Sequence, residues 1–181
     1  MDVIASFRES DIFPDRDAMN DVSVVFEDRL TGKAVVFDQE KNVALIGNSV
    51  NEFYLLPGGG IESTETVEDG IVRECLEEIG CNVVLRGRLG IVEDYRNRDK
   101  KHCINHGFIA EVVGEKGVLK LTEEEARKGL HVVWKPLDKA IALLEEEVTQ
   151  LERGEVTFYN TGFNIRRDHI FLLNAAKHFN G

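Results

Sequence analysis

The chain has 181 residues, of which 43% are hydrophobic and 30% are charged, values that are ordinary for one globular domain. Its formal net charge of −11 at pH 7 argues against a nucleic-acid backbone or an anionic membrane as a partner. No apolar run approaches the roughly 18 residues that span a bilayer, and the N-terminus lacks the pattern of a secretory signal. The three cysteines form no C-x-x-C pair, which predicts buried, reduced thiols and a cytoplasmic location.

Short strand patterns dominate the first two thirds of the chain. The first 30 residues predict two strands, over 3–7 and 22–26, as an extension ahead of the core. Further strands are predicted over 33–37, 43–47, 53–56, 82–89, 91–95, 103–113 and 131–134. Helices are predicted over 66–79, 137–153 and 168–179, with a short acidic one over 122–128.

The irregular alternation of strands and helices predicts an α/β fold, with a mixed sheet covered by helices on both faces. We expect a single domain made of a strand extension over 1–30, a core over 31–140 and a C-terminal helical part over 141–181. The sequence leaves the assembly state open, with a homodimer as one candidate.

The stretch 56–83 joins a glycine triplet to an acidic helix. Gly58, Gly59 and Gly60 allow the backbone to approach a ligand closely and to adopt angles closed to other residues, so a carbonyl freed there can bind a metal. Thr66, with an acidic residue three positions on, is typical of a helix N-cap, and Gly80 is a natural C-terminal stop. Taken alone, a glycine triplet is also compatible with a plain turn.

A helical wheel separates the acidic and apolar residues of this helix. Glu74, Glu77 and Glu78 fall within an arc of roughly 100°. The apolar residues, which should face the sheet, are Ile71, Val72, Cys75, Leu76 and Ile79. Three carboxylates this close repel each other unless a cation lies among them, and oxygen ligands suit Mg²⁺ or Mn²⁺. The alternative is a solvated acidic helix face.

The same stretch resembles the Nudix box, whose pattern is G-x5-E-x7-R-E-U-x-E-E-x-G-U, where U is aliphatic. The fixed positions, over 59–81, are occupied by Gly59, Glu65, Arg73, Glu74, Glu77, Glu78 and Gly80. Cys75 and Cys81 stand at two of the aliphatic positions, where a reduced thiol packs as a small apolar group. The Trp134–Asp138 segment and the closing helices also look like the family's core. The resemblance implies a Nudix-like α/β/α sandwich.

The resemblance also implies a metal-dependent hydrolase. Such an enzyme cleaves the diphosphate linkage of a nucleoside diphosphate joined to another group, by attack of water at phosphorus. It implies that Glu74 and Glu78 are metal ligands, that Glu77 is a ligand or holds metal-bound water, and that the Gly59 carbonyl completes the set. Arg73 would pair with Glu65 and orient Glu74.

A general base is expected outside the box. Glu124 and Glu125 are favoured because they lie in the acidic segment before the 131–134 strand, where such a residue tends to lie in the family. Glu93, near a strand end, is a competitor. A solvated acidic loop is the alternative interpretation of the 122–128 segment.

Several aromatic and histidine side chains are candidates for the substrate pocket. Tyr95, Phe108 and Tyr159 could stack on a base, although each residue type is more often found in core packing. His102 and His106 could contact a phosphate or a sugar, with an ordinary surface or core position as the alternative.

The identity of the substrate is constrained mainly by missing markers. The arginine-bearing motif of coenzyme A-type members, the proline that ADP-ribose-type members tend to carry after the box and the proline-rich stretch of NADH-type members are all absent from the sequence. The remaining candidate substrates are a nucleoside triphosphate, a nucleotide sugar and a dinucleoside polyphosphate. A non-catalytic nucleotide-binding sensor on the same fold is the alternative function.

Overall fold

The computed structural model describes residues 2–13, 24–117, 119, 123, 127 and 129–179. The elements follow the predicted order, with a short helix over 9–12 added that the sequence patterns did not predict. They are β1 (Val3–Arg8), α1 (Glu9–Ile12), β2 (Glu27–Phe37), β3 (Asn42–Asn48), β4 (Phe53–Leu55), α2 (Val67–Ile79), β5 (Val83–Arg96), β6 (Lys101–Val112), β7 (Leu130–Pro136), α3 (Leu137–Glu152) and α4 (Tyr159–Phe179).

Seven strands from the described residues form one mixed sheet. The strand order is β1-β5-β6-β2-β3-β4, and β7 pairs with β3. The pairs β1–β5 and β2–β6 are parallel, whereas the other pairs are antiparallel. With α2 on one face and α3 and α4 on the other, the predicted α/β/α sandwich is confirmed.

Two apolar clusters, one on each face of the sheet, form the core. The cluster under α2 contains the buried Ile71, Cys75 and Ile79, which pack with Ala34, Val36, Ala44, Phe108 and Ala110 of the strands. The cluster under α3 and α4 contains the buried Leu144, Phe163, Phe171 and Leu172, which pack with Val35, Phe37, Leu45 and Val92. Fully burying such side chains stabilises the fold by about 1.5–3 kcal/mol each.

Alternation along β2 separates its polar and apolar side chains. Successive side chains of a strand point to opposite faces, so Ala34 and Val36 pack under α2. Arg29, Thr31 and Lys33 point to the face that carries α4. This polar half of β2 lies beside β6 in parallel register, and the two strands form the floor of the site described below.

Several predicted boundaries are wrong. Residues 24–26, within the predicted second strand of the extension, have no regular structure, and the core strand predicted to begin at residue 33 begins at Glu27. Gly87 and Gly90 do not split β5; the strand continues through them with shifts of register, because glycine allows the local bulge. Helix α4 begins at Tyr159, not at residue 168, because the buried Tyr159 and Phe163 extend its apolar stripe.

No helix in the described ranges is both long and apolar enough to cross a membrane.

Two buried carboxylates hold β4, the strand that leads into the glycine triplet. The Tyr54 N–H donates to Glu147 Oε1 of α3 at 2.6 Å, and the Leu56 N–H donates to Asp168 Oδ2 of α4 at 2.9 Å. Burial raises the pKa of Glu147 to about 8. Helices α3 and α4, which lie on the opposite face of the sheet from α2, therefore hold in place the strand that leads into the glycine triplet.

The buried Glu147 makes stability depend on pH. Because the pKa of this carboxyl is higher in the folded chain than in the unfolded chain, the folded state favours its neutral form. The free energy of unfolding should therefore fall as pH rises from about 5 to about 8, by up to about 1.4 kcal/mol per pH unit. In Glu147→Gln, which stays neutral and keeps the acceptor, this loss should disappear. Urea denaturation at both pH values measures it.

Glu146→Gln is the matched control, because Glu146 is the exposed neighbour on the same helix. It removes the same formal charge and should keep the pH dependence of the original chain. Equal slopes in all three proteins would contradict the assigned role of Glu147.

Candidate active site

The rotation of α2 is set by its two caps. Thr66 Oγ1 accepts a hydrogen bond from the Asp69 N–H at 3.1 Å, and Gly80 ends the helix with a φ of 66°. Ile71, Cys75 and Ile79 then face the sheet, as the wheel predicts. The prediction for Leu76 is wrong: its side chain is 50% exposed, because it lies about 100° around the helix from Cys75 and misses the sheet.

The glycine loop packs so closely that side chains are excluded from it. Gly58 has a φ of 125°, and a Cβ there would collide with the Gly32 carbonyl oxygen and lie 2.7 Å from Ile71 Cδ1. A Cβ at Gly59 would lie 2.7 Å from the Glu74 carboxylate oxygens. The loop is joined to β2 by a hydrogen bond of 3.0 Å from the Gly32 N–H to the Gly59 carbonyl.

Two carboxylates of α2 reach this loop from successive turns. Glu78 accepts a hydrogen bond from the Gly58 N–H at 2.6 Å, and burial raises its pKa. The Glu74 side chain is mostly buried and lies directly against Gly59. The 3.6-residue period of the helix thus places both carboxylates at the glycine triplet.

Arg73 binds the remaining acids of the box. Its guanidinium donates to Glu65 at 2.8 and 3.2 Å, to Glu74 at 2.9 Å and to Glu77 at 3.1 Å. It also donates to the Gly60 carbonyl at 3.1 Å. These contacts, first of all the one with Glu65, raise the pKa of Arg73 and keep it charged. The arginine therefore offsets the mutual repulsion of the acids and fixes their positions.

Lys33 is a site residue that the sequence analysis missed. Its buried ammonium donates to the carbonyls of Leu56, at 3.0 Å, and of Gly58. Burial lowers its pKa, and the nearby Glu78 and Glu74 oppose that effect. The sequence carries one signal for it, a lysine that directly precedes the buried run Ala34–Phe37 of β2. Such a buried cation needs oxygen partners.

The donor atoms at the loop suit a hard divalent cation. They are oxygens of Glu74 and Glu78 and of the loop carbonyls, of which the Gly59 oxygen keeps a second lone pair. The Glu77 side chain is 59% exposed and pairs with Arg73. No closed cage of three or more His, Cys, Asp or Glu side chains occurs in the part of the chain that the structure describes. Mg²⁺ does not need one, since it commonly binds one or two carboxylates together with waters and substrate phosphates. The residues therefore fit a magnesium-type ion.

A cleft of about 250 Å³ opens beside the glycine loop, on the face of the sheet that carries α4. Gly58 and Gly59 belong to its lining. Its charged lining, among the described residues, consists of Arg29, Lys33, Arg96, Lys101 and Arg167 with one carboxylate, Asp99. The cleft is thus strongly cationic, although the whole chain carries a net charge of −11.

The family model for the NUDIX domain matches residues 32–157, more than half of the chain. The chain belongs to the Nudix family. Its relatives include an ADP-ribose pyrophosphatase of Methanocaldococcus jannaschii, 33% identical over 92 residues, which are 49% of this chain and 53% of that protein. A diphosphoinositol polyphosphate phosphohydrolase 3-alpha of Mus musculus is 30% identical over 109 residues, 60% of this chain and 63% of that protein.

The chain also resembles a putative 8-oxo-dGTP diphosphatase of Bacillus subtilis, 27% identical over 94 residues, which are 52% of this chain and 60% of that protein. The matched region thus spans 53 to 63% of these three Nudix relatives. Among solved structures, a Nudix hydrolase from Nitrosomonas europaea aligns with a TM-score of 0.53 at 21% identity, covering 65% of this chain and 78% of that one. This structural likeness shows the fold.

The aromatic candidates from the sequence lie outside the lining of the cleft. Phe108 is buried under α2, and Tyr159 is buried beside Phe13 with ring centroids 5.8 Å apart, so both pack in the core. Tyr95 stacks on His102 with centroids 4.4 Å apart. None of these side chains lines the cleft.

Of the three candidate general bases, the structure describes only Glu93. The Glu93 carboxylate lies 3.8 Å from His102 Nε2 and is partly buried. Glu124 and Glu125 lie outside the described residues, as does most of the short helix expected over 122–128. His106, a candidate contact for a phosphate or a sugar, is partly buried, and burial lowers its pKa.

The close packing of the Nudix glycine loop predicts that alanine substitutions at Gly58 and Gly60 differ strongly in their effect on the free energy of unfolding. Gly58→Ala should lower the free energy of unfolding by more than about 1 kcal/mol, because the new Cβ meets backbone and the φ is positive. Gly60→Ala is the matched control, since its Cβ would come no closer than 3.7 Å to a neighbour. Its effect should stay within about 0.5 kcal/mol. Urea denaturation compares them, and equal losses would contradict the packing argument.

Proposed function

We propose that the chain is a metal-dependent hydrolase that cleaves a diphosphate linkage in a small nucleotide-type substrate by attack of water at phosphorus. The observation that carries this proposal is the convergence of Glu74 and Glu78 on the glycine loop, two residues of which line a cationic cleft. Family membership supports the same reaction class, since the relatives are named as pyrophosphatases, diphosphatases or phosphohydrolases.

The role that we propose for each residue follows from the contacts of its side chain. Glu74 and Glu78, with the Gly59 carbonyl and with Glu77 in a direct or water-mediated role, would hold Mg²⁺ or Mn²⁺. When bound, the ion supplies neutralisation of the negative charge on the diphosphate. Arg73 orients Glu74 through their hydrogen bond of 2.9 Å.

Glu65, Gly58 and Gly60 have supporting roles in the proposal. Glu65 fixes the Arg73 guanidinium through two hydrogen bonds, of 2.8 and 3.2 Å. The Gly58 N–H holds the Glu78 carboxylate, and the Gly60 carbonyl accepts from Arg73. For the general base we retain Glu124 or Glu125, with Glu93 as the competitor.

The substrate class is proposed from shared chemistry. The relatives are named for ADP-ribose, 8-oxo-dGTP and diphosphoinositol polyphosphates, compounds that all contain phosphoanhydride linkages. A nucleoside triphosphate, a nucleotide sugar or a dinucleoside polyphosphate fits this class. The cationic cleft suits such anionic compounds.

The cellular location and the partners are proposed from the state of the cysteines and from the net charge. All three cysteines are buried and unpaired, which supports a cytoplasmic protein with reduced thiols. The net charge of −11 supports a small-molecule substrate without nucleic-acid or membrane partners. A single domain is proposed, and a homodimer stays open.

The test is turnover of a panel of nucleoside triphosphates, nucleotide sugars and dinucleoside polyphosphates with Mg²⁺, measured as released phosphate-containing products. At least one compound should be hydrolysed, and chelation by EDTA should stop the reaction. Glu78→Gln should lower kcat by at least about 100-fold, because a neutral amide binds a divalent cation poorly.

Glu68→Gln is the matched control, since Glu68 lies on the exposed side of the same helix and pairs with Arg88. It should keep the kcat of the original chain. If a broad panel is bound tightly by the original chain and nothing is turned over, the hydrolase proposal fails and a nucleotide-binding sensor takes its place.

A further inference from the structure

The cleft beside the glycine loop gathers positive charge in an acidic protein. Five cationic side chains and one carboxylate, Asp99, are found among its described lining residues, whereas the chain as a whole carries a net charge of −11. A concave surface of one sign focuses the electrostatic potential and raises the local concentration of ligands of opposite sign. The ligand of this cleft is therefore an anion.

Three of the five cations, Lys33, Arg96 and Lys101, have partners that hold them in the cleft wall. Their partners are Asp94, Asn160 and Asn164 for Arg96, the Leu56 and Gly58 carbonyls for Lys33, and Glu27 for Lys101. These contacts fix the positions of the three side chains and occupy some of their hydrogen-bond donors. Arg29 and Arg167 are the two remaining cations of the lining.

Arg167 has a buried donor that the described residues leave without a partner. Its Nε donates to Asp168 Oδ1 at 2.7 Å, and its Nη1 donates to Asn105 Oδ1 at 3.3 Å and to Asn164 Oδ1 at 3.1 Å. Its Nη2 is buried and has no hydrogen-bond partner among the described residues. The side chain is only 4% exposed. A buried charged donor in this state is costly, so it indicates an acceptor from outside the chain.

Arg29 has free donors on the neighbouring strand of the same cleft. Its side chain is exposed and makes no hydrogen bond or ion pair with a described residue. It lies two residues before Thr31 on the same face of β2, about 7 Å along the strand. Thr31 Oγ1 donates at 2.6 Å to Asn105 Oδ1, the atom that also accepts from Arg167. Arg167 thus contacts the Thr31–Asn105 pair directly, and Arg29 lies in the same cleft on the strand that carries Thr31.

We propose that Arg29 and Arg167 form a subsite for a phosphate group of the substrate other than the diphosphate that is cleaved. The planar guanidinium presents paired donors that match phosphate oxygens. Gly58 and Gly59 line the same cleft, so under the proposed function the cleaved diphosphate would lie near this subsite. The inference rests on the proposed function and narrows it: the substrate carries at least one phosphate beyond the cleaved diphosphate, as a triphosphate or a polyphosphorylated small molecule does.

The experiment is a calorimetric titration of inorganic tripolyphosphate into the full chain, in EDTA so that no divalent ion takes part. Arg167→Gln should raise the Kd at least about tenfold, the loss expected for one charge-assisted hydrogen bond. Arg29→Gln should raise it about threefold or more, because its side chain is more solvated. Both variants remove one positive charge from the cleft.

Arg166→Gln is the matched control. Arg166 is the next residue on α4, but its side chain is 41% exposed and pairs with Glu152 outside the cleft. It removes the same charge, and its Kd should stay within about twofold of the original value. Equal weakening in all three variants, or no binding by the original chain at about 1 mM tripolyphosphate, overturns the subsite.

Circular dichroism establishes whether each variant folds. If Arg167→Gln does not fold, the comparison of Arg29→Gln with Arg166→Gln decides the proposal. A chain that hydrolyses diphosphate compounds, but binds tripolyphosphate equally well with and without these arginines, keeps the proposed function and loses the subsite. A chain that binds through them and hydrolyses nothing keeps the subsite and loses the hydrolase activity.

Discussion

Hydrogen bonds between the glycine loop and β2 are the constraint on which the site depends. The Gly32 N–H donates to the Gly59 carbonyl at 3.0 Å, and the Ala34 N–H donates to the Pro57 carbonyl at 3.1 Å. Lys33, between these two residues, donates to the same loop from its side chain. The loop is thereby fixed to a central strand. Carboxylates of α2 reach it from one face of the sheet, and the cationic cleft opens on the other.

The acidic half of the site could be predicted from the sequence because it is local. All of its members lie within one loop and one helix, so their spacing determines how they meet. The helical period places Glu74 and Glu78 one turn apart, and the box spacing brings Glu65 back to Arg73. Even the N-cap at Thr66 follows from short-range pattern alone. Leu76 was mispredicted because a wheel does not say how wide the buried stripe is.

The cationic half could not be predicted because it is assembled from distant segments. Lys33, Arg96 and Arg167 come from two strands and a helix, and no local pattern states that they line the same cleft. The start of α4 was also missed, since Gly162 interrupts its pattern. In the structure that glycine allows a close approach: a Cβ there would lie 2.8 Å from the ring of Phe13.

The parallel pairing of β2 with β6 has a consequence for how the molecule folds. Thr31 and Asn105, partners on the cleft floor, are 74 residues apart in sequence. Closing so long a loop costs chain entropy before any contact between the strands compensates it, which slows folding. During synthesis the floor cannot form until β6 has left the ribosome. The helix that carries the acids also waits for β6, because its buried residues pack on Phe108 and Ala110 of that strand.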